Sequence, residues 1–238
     1  MLERILKDIR LYESETENIS GQSLPSELGV ILKPTENSNF IAKRIARKLN
    51  ELKYSFGEQD HIYINFTTFL NENEIRISSR DIDKRVRYVD FGISREQFNS
   101  LKDKIKDEFV ERKILEILKF ISNKYSQKFI EQTKLELSEY GRELKILFKT
   151  KETKSYRIDI YYQVAPFNKF SKAIIEYFDK KNEITYTKDF ELKLYEDIYS
   201  LIDTIGVKNK RITLKPKKSF SAELVTKGYK TPIEIELP

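Results

Sequence analysis

Apolar positions along this chain recur with two different periods. From His61 to Phe69 they alternate, Ile62, Ile64 and Phe66 against Tyr63, Asn65 and Thr67, which predicts a β-strand. Residues 74–78 and 85–93 read as two more strands, joined through Asp81 and Asp83. On either side the period lengthens to that of a helix. Ile41, Ile45, Leu49 and Leu52 form a stripe at spacings of four, four and three behind a cap at Asn37 or Ser38. Lys43, Arg44, Arg47 and Lys48 fall on its other faces and give that helix a basic side. Ser94-Arg-Glu-Gln has the form of a capping box. The stripe behind it (Phe98, Leu101, Ile105, Phe109 or Val110, Ile114, Ile117, Ile121, Tyr125) predicts one long helix over 95–125. Upstream, residues 28–33 read as a strand stopped by Pro34, and the polar residues 13–27 as a connector with Gly21 and Pro25. Residues 2–11 suit a short helix or an edge strand, and Leu2, Ile5, Leu6 and Ile9 fit the helical period slightly better.

Beyond Lys128 short strands dominate. Residues 143–149 and 156–164 predict a hairpin around Lys-Glu-Thr-Lys, ended by Pro166. Residues 172–178 and 183–187 predict a second hairpin around Asp-Lys-Lys-Asn, although 170–180 also suits a short helix. Residues 190–205 read as a helix with Leu194, Ile198, Leu201 (or Ile202) and Ile205 inward and Gly206 as its stop. The tail offers three strands, at 211–215, 219–225 and 232–237. The fold class expected is α+β, with mainly antiparallel sheets and two or three helices packed on one face, one of them long. The domains expected are an N-terminal α+β part, 1–127, and a β-rich C-terminal part, 128–238.

Composition narrows the chemistry. Cysteine is absent, which excludes disulfides, zinc–cysteine sites and iron–sulfur clusters. There is one histidine, His61, and seven glycines in 238 residues, with no G-x-x-x-x-G-K and no G-x-S-x-G. No cofactor or metal is expected, and an ordinary enzyme is not expected either. No apolar run approaches the ~18 residues of a membrane span, so no membrane partner is expected. The first ten residues are charged throughout and lack an apolar core, so the cytoplasm is the expected compartment. The net charge is +6 and unevenly spread. Residues 1–36 hold four basic and seven acidic side chains, whereas residues 208–230 hold eight basic and one acidic. That basic stretch can attract nucleic acid or an acidic protein.

The candidate reactive groups are sparse. Glu58/Asp60 and Asp81/Asp83 suit Mg²⁺ or Ca²⁺, yet D-x-D beside Lys84 and Arg85 also makes a solvated turn with local ion pairs. His61 has Asp60 beside it, but neighbours on a strand point to opposite faces. Asp159 in mid-strand, followed by Glu191-Leu-Lys193, has the order of an Mg²⁺-dependent nuclease core, but Glu191 falls where a helix is expected to begin. Tyr156, Arg157, Tyr161 and Tyr162 could stack bases, or simply cover a half-buried sheet.

Residues 39–127 carry a recognisable succession. An Ile/Ala helix, Ile41-Ala-Lys-Arg-Ile-Ala-Arg-Lys-Leu49, precedes an aromatic strand, Ile62-Tyr-Ile-Asn-Phe66. Polar hairpin strands follow, then a helix ending Ile114-Leu-Glu-Ile-Leu-Lys-Phe-Ile-Ser-Asn-Lys-Tyr125. This succession resembles a group of immunity proteins from bacterial polymorphic toxin systems. The resemblance implies a non-enzymatic inhibitor that blocks a cognate protein toxin by direct binding. The residues expected to meet such a partner are the basic and aromatic Arg44, Lys48, Tyr63, Arg85, Arg87 and Tyr88. An alternative is a nucleic-acid-binding component of a bacterial defence or mobile-element system, acting through residues 208–230. A further alternative is an Mg²⁺-dependent nuclease using Asp159, Glu191 and Lys193.

Overall fold

Ile9 and Leu11 turn inward while Asp8 and Arg10 turn outward, so the two-residue period governs the N-terminus. It forms strand β1 (Asp8–Ser14), not a helix. The apparent helical spacing leaned on residues ahead of that strand. The structure, a computed structural model, describes residues 3–17, 23–166 and 168–237; Leu2, and residues 18–22 of the expected connector, lie outside these. The fold is α+β, with twelve strands in three mostly antiparallel sheets and six α-helices among the described residues. The chain divides into Met1–Gly141 and Arg142–Pro238.

In the first unit, β1 leads through β2 (Ser26–Glu27) and helix α1 (Ser38–Glu51) to β3 (His61–Thr67), β4 (Ile75–Ile77) and β5 (Val86–Gly92). The sheet order is β2-β1-β3-β5-β4. A helical crossover returns the chain in the same direction, so β1–β3 is parallel, as is β3–β5; the short edge strands pair antiparallel. Ile9, Leu11, Ile62, Ile64, Phe66, Val89 and Phe91 are buried, each at most 4 % exposed. Against them lies the α1 stripe, with Ile41, Ile45 and Leu49 buried as its spacing requires.

The single helix expected over 95–125 is two, α2 (Arg95–Ser100) and α3 (Asp103–Ile121). Leu101 and Lys102 between them are extended, at ψ 146° and 152°. Ser94 does cap α2, its hydroxyl accepting the Gln97 N–H. A helix absent from the sequence reading, α4 (Gln127–Tyr140), then packs on α1 and α3 through Ile130, Thr133 and Leu137. Gly141, at φ 50°, ends it. The division between units therefore follows Gly141, not residue 127.

Residues 28–33 are not a strand. Their backbone turns around the Glu13 carboxylate, which is 1 % exposed. It accepts the amides of Val30, Ile31 (2.6 Å) and Leu32 (2.9 Å).

The second unit opens with a meander of β6 (Ile146–Glu152), β7 (Tyr156–Tyr162), β8 (Ser171–Asp179) and β9 (Ile184–Leu192), the two hairpins expected. The helix expected over 190–205 shrinks to a 3₁₀ turn at Tyr195–Asp197 and the short α5 (Ile198–Leu201). Gly206 is no helix stop; it sits in β10 (Thr204–Lys208) opposite Thr213 of β11 (Arg211–Lys215). The strand expected over 219–225 is helix α6 (Phe220–Thr226), capped by the Ser219 hydroxyl. The chain closes the order β10-β11-β12 with β12 (Ile233–Glu236).

Candidate functional site

Parallel pairing sets side chains in rows across β1, β3 and β5. On the face opposite the apolar core, Arg10, Tyr63 and Tyr88 form one row, and Tyr12, Asn65 and Asp90 the next. The tyrosines make a ladder. Tyr12 and Tyr63 rings lie 5.2 Å apart, and Tyr63 and Tyr88 meet edge-on at 5.6 Å. The Arg10 guanidinium stands 5.3 Å from the Tyr63 ring centre, held by Asp8 at 2.8 Å. Burial pushes the Tyr12 and Tyr88 hydroxyls above their ordinary pKa, so both remain neutral donors at physiological pH.

Beneath the ladder lies a polar network that pattern reading missed. The Asn65 amide donates to the Ser14 hydroxyl at 2.9 Å and to Asp90 at 2.7 Å. Asp90 also accepts from Arg80 at 2.8 Å, in an ion pair whose side chains are each 3 % exposed. Arg80 donates further to the Ser78 hydroxyl and the Ser23 carbonyl. The pattern hid it because Asn65 falls on the polar side of the β3 alternation, which predicts exposure, whereas Asn65 and its neighbour Asp90 are 3 % and 2 % exposed and so need partners. The crevice between Tyr12, Pro25, Tyr63, Asn65, Arg80 and Tyr88 leaves no volume for even a water-sized ligand. The network thus props up a surface and does not line a ligand pocket.

At the N-terminal ends of the same strands, Asp60 is a buried hub, 1 % exposed. Arg85 grips it with two bonds, 3.2 and 3.0 Å, Lys7 reaches it at 3.0 Å and His61 Nδ1 at 2.6 Å. Asp60 precedes β3, so strand alternation does not separate it from His61, contrary to expectation. Burial alone would raise the Asp60 carboxyl, but the hydrogen bonds from Arg85, Lys7 and His61 outweigh it and hold it well below the usual carboxylate range.

The six expected partner-binding residues separate into two groups. Tyr63 and Tyr88 join in the ladder, Tyr63 half-buried and Tyr88 only 5 % exposed. Arg85 is tied to the Asp60 hub with its side chain 48 % exposed, and Arg87, half-buried and donating to Gln59 at 3.0 Å, stands opposite Ile62 on the other face of the sheet. Arg44 and Lys48 belong elsewhere, since they are 4 % and 5 % exposed. Lys48 ion-pairs with Glu51 at 2.8 Å and with Glu136 of α4 at 2.6 Å, and Arg44 lowers the pKa that burial raises at Glu111. Arg44 and Lys48 of the basic side of α1 are thus inter-helix residues, turned toward α3 and α4.

In the second unit Asp159 accepts from Thr150 at 2.6 Å and pairs with Arg157 at 2.7 Å. Asp159 faces Glu176 and then Thr187, whereas Glu191 faces Lys172, so the register sets Asp159 and Glu191 four residues apart along the strands. Glu191 lies in β9, not at a helix start, and Lys193 stands over the Tyr229 ring at 5.7 Å. Among the described residues no three His, Asp or Glu side chains group to hold a metal ion, and no helix is long and apolar enough to cross a membrane. The eight cations of residues 208–230 are exposed, with Arg211 tied to Glu234 and Glu236 at 3.1 Å each. No family model, curated protein or solved structure matches the chain.

Proposed function

We propose that the chain is a non-enzymatic protein-binding module, an immunity-type inhibitor that blocks a cognate bacterial toxin by direct contact through its first unit. The observation that carries this reading is the half-buried Tyr63, packed between the buried Tyr12 and Tyr88 and carrying exposed Arg10 over its ring, with exposed Arg85 and Lys7 at the N-terminal ends of the same strands. Tyrosine and arginine are the side chains in which binding energy concentrates at protein interfaces, and rings already fixed in a sheet lose little freedom on docking. The surrounding cations favour a toxin with an acidic face and speed its encounter.

The test is affinity purification from the native host at moderate salt, with mass spectrometry and a nucleic-acid stain on one eluate. A single stoichiometric protein, whose toxicity the chain suppresses in co-expression, is the result expected. Nuclease-sensitive material that washes off steeply with salt would replace this reading with nucleic-acid binding. The exposed cations of residues 208–230 are the observation that favours that second reading.

A further inference from the structure

The second unit is a sandwich with one strand fewer on one side. Its sheets hold four strands, β6-β7-β8-β9, and three, β10-β11-β12. They face each other, since Lys151 of β6 donates to the Ile205 carbonyl of β10, and Ile175, Tyr177, Tyr186 and Lys188 line one cavity with Ile212 and Ile235. That cavity, about 450 Å³, lies between β9 and β12, and a second of about 520 Å³ lies between Phe190 of β9 and Ile233 of β12. Burial falls off toward this side. Ile158, Ile160, Ile212 and Leu214 in the middle strands are at most 1 % exposed, whereas Tyr186, Phe190, Ile233 and Ile235 are only half-buried. The last strand of the larger sheet therefore overhangs, with apolar side chains that no opposing strand covers.

The backbone beside this trough is set for pairing. Antiparallel ladders alternate bonded and non-bonded pairs. The Leu237 amide donates to the Lys210 carbonyl, so Ile235 and Ile233 bond toward β11 and the N–H and C=O groups of Glu234 and Glu236 point away from it. On this edge the inward side chains are Ile233 and Ile235, and the outward ones are Glu234 and Glu236. One arginine, Arg211, serves both carboxylates, so these three side chains together carry one net negative charge on β12's outer side.

We propose that the trough seats an extended peptide segment of a partner protein, added to β12 as a fourth strand. Its alternate apolar residues cover Tyr186 and Phe190, and its basic residues stand beside Glu234 and Glu236. Addition to β12 fills the trough; addition to β9 would leave it open. Main-chain bonds supply affinity and alternate side chains supply selectivity in such strand addition. A second copy paired β12 to β12 would set glutamates against glutamates, which is unfavourable across a strand pair. This site lies in the second unit and does not rest on the reading of the first.

The test uses the full chain and two octapeptides, one alternating valine with lysine and one alternating valine with glutamate. Binding is followed by fluorescence anisotropy and by backbone amide NMR shifts. The expected result is that the valine–lysine peptide binds at least about tenfold tighter and moves the Glu234 and Glu236 amides. Methylating alternate peptide nitrogens should abolish binding with the protein untouched. Glu236→Pro removes an outward N–H without removing a bond to β11, and should weaken binding by about tenfold at an unchanged melting temperature. Four results would each overturn the proposal: no binding, equal binding of both peptides, shifts confined to Thr187 and Asp189 of β9, or a concentration-dependent dimer that Glu236→Pro abolishes.

Discussion

Two buried carboxylates hold the first unit by opposite kinds of partner, and each predicts its own response. Asp60 is held by side chains, the cations Arg85 and Lys7 and the His61 ring. Its folded carboxyl titrates below its unfolded value of about 3.9, so the unfolded chain binds the extra proton and stability falls with acid. That contribution is complete above pH ~4 and drains away as pH drops toward the folded value. Melting temperatures followed from pH 6 to pH 3 should therefore fall less for Asp60→Asn than for the wild type, and parallel curves would contradict this. Because its cations are half-exposed, the substitution should cost about 1–3 kcal/mol near neutrality. Glu13 is held by backbone amides instead. Glu13→Gln should accelerate hydrogen exchange at Ile31 and Leu32 and leave the Asp60 region protected; unchanged exchange at Ile31 and Leu32 would show that the loop holds itself. Neither role was legible in the sequence. Glu13 looked like part of a polar connector, and its partners lie 17–19 residues away. Apolar Val30, Ile31 and Leu32 looked like a strand for the same reason, since the pattern cannot show that a carboxylate has claimed their amides.

Among the elements, periodicity found most strands and helices but not where helices stop. The stripe from Phe98 to Ile121 runs on across Leu101 and Lys102, where neither glycine nor proline marks the break between α2 and α3. Helix α4 escaped because its inward stripe has only three members, Ile130, Thr133 and Leu137, one of them polar. That omission produced the misplaced basic surface on α1, for α4 brings Glu136 onto Lys48. Lys48→Ala should therefore destabilise the first unit by about 2 kcal/mol, below the ~3–5 of a fully buried pair because Glu51 and Glu136 stay partly solvated. Chemical denaturation of the two chains measures it, and a loss under about 0.5 kcal/mol, the range of an ordinary surface site, would return Lys48 to the solvent. In the second unit the strand expected at 219–225 failed for a local reason. Ser219 is a helix cap, and the seven residues behind it are too few to show a period.

At the scale of the whole molecule, the fold class was legible and the distribution of partners was not. Alternation along β1, β3 and β5 identifies which residues share a face, but parallel pairing is what aligns Arg10, Tyr63 and Tyr88 in one row, and no local pattern states it. Tyr63, Arg85 and Tyr88 were chosen from the sequence as aromatic and basic strand residues; Arg10 and Tyr12 were missed because residues 2–11 suited a short helix as well as an edge strand and Tyr12 fell between that segment and the connector. The central claim is that this row is a protein-binding face. The most direct measurement is titration calorimetry of the purified partner against the wild type, Tyr63→Ala and Arg10→Ala. Arg10 is exposed, so its variant should melt like the wild type. The account predicts that both substitutions weaken binding by at least about tenfold, while Phe220→Ala in the second unit leaves it unchanged. Full affinity in both first-unit variants, with folding intact, would contradict it.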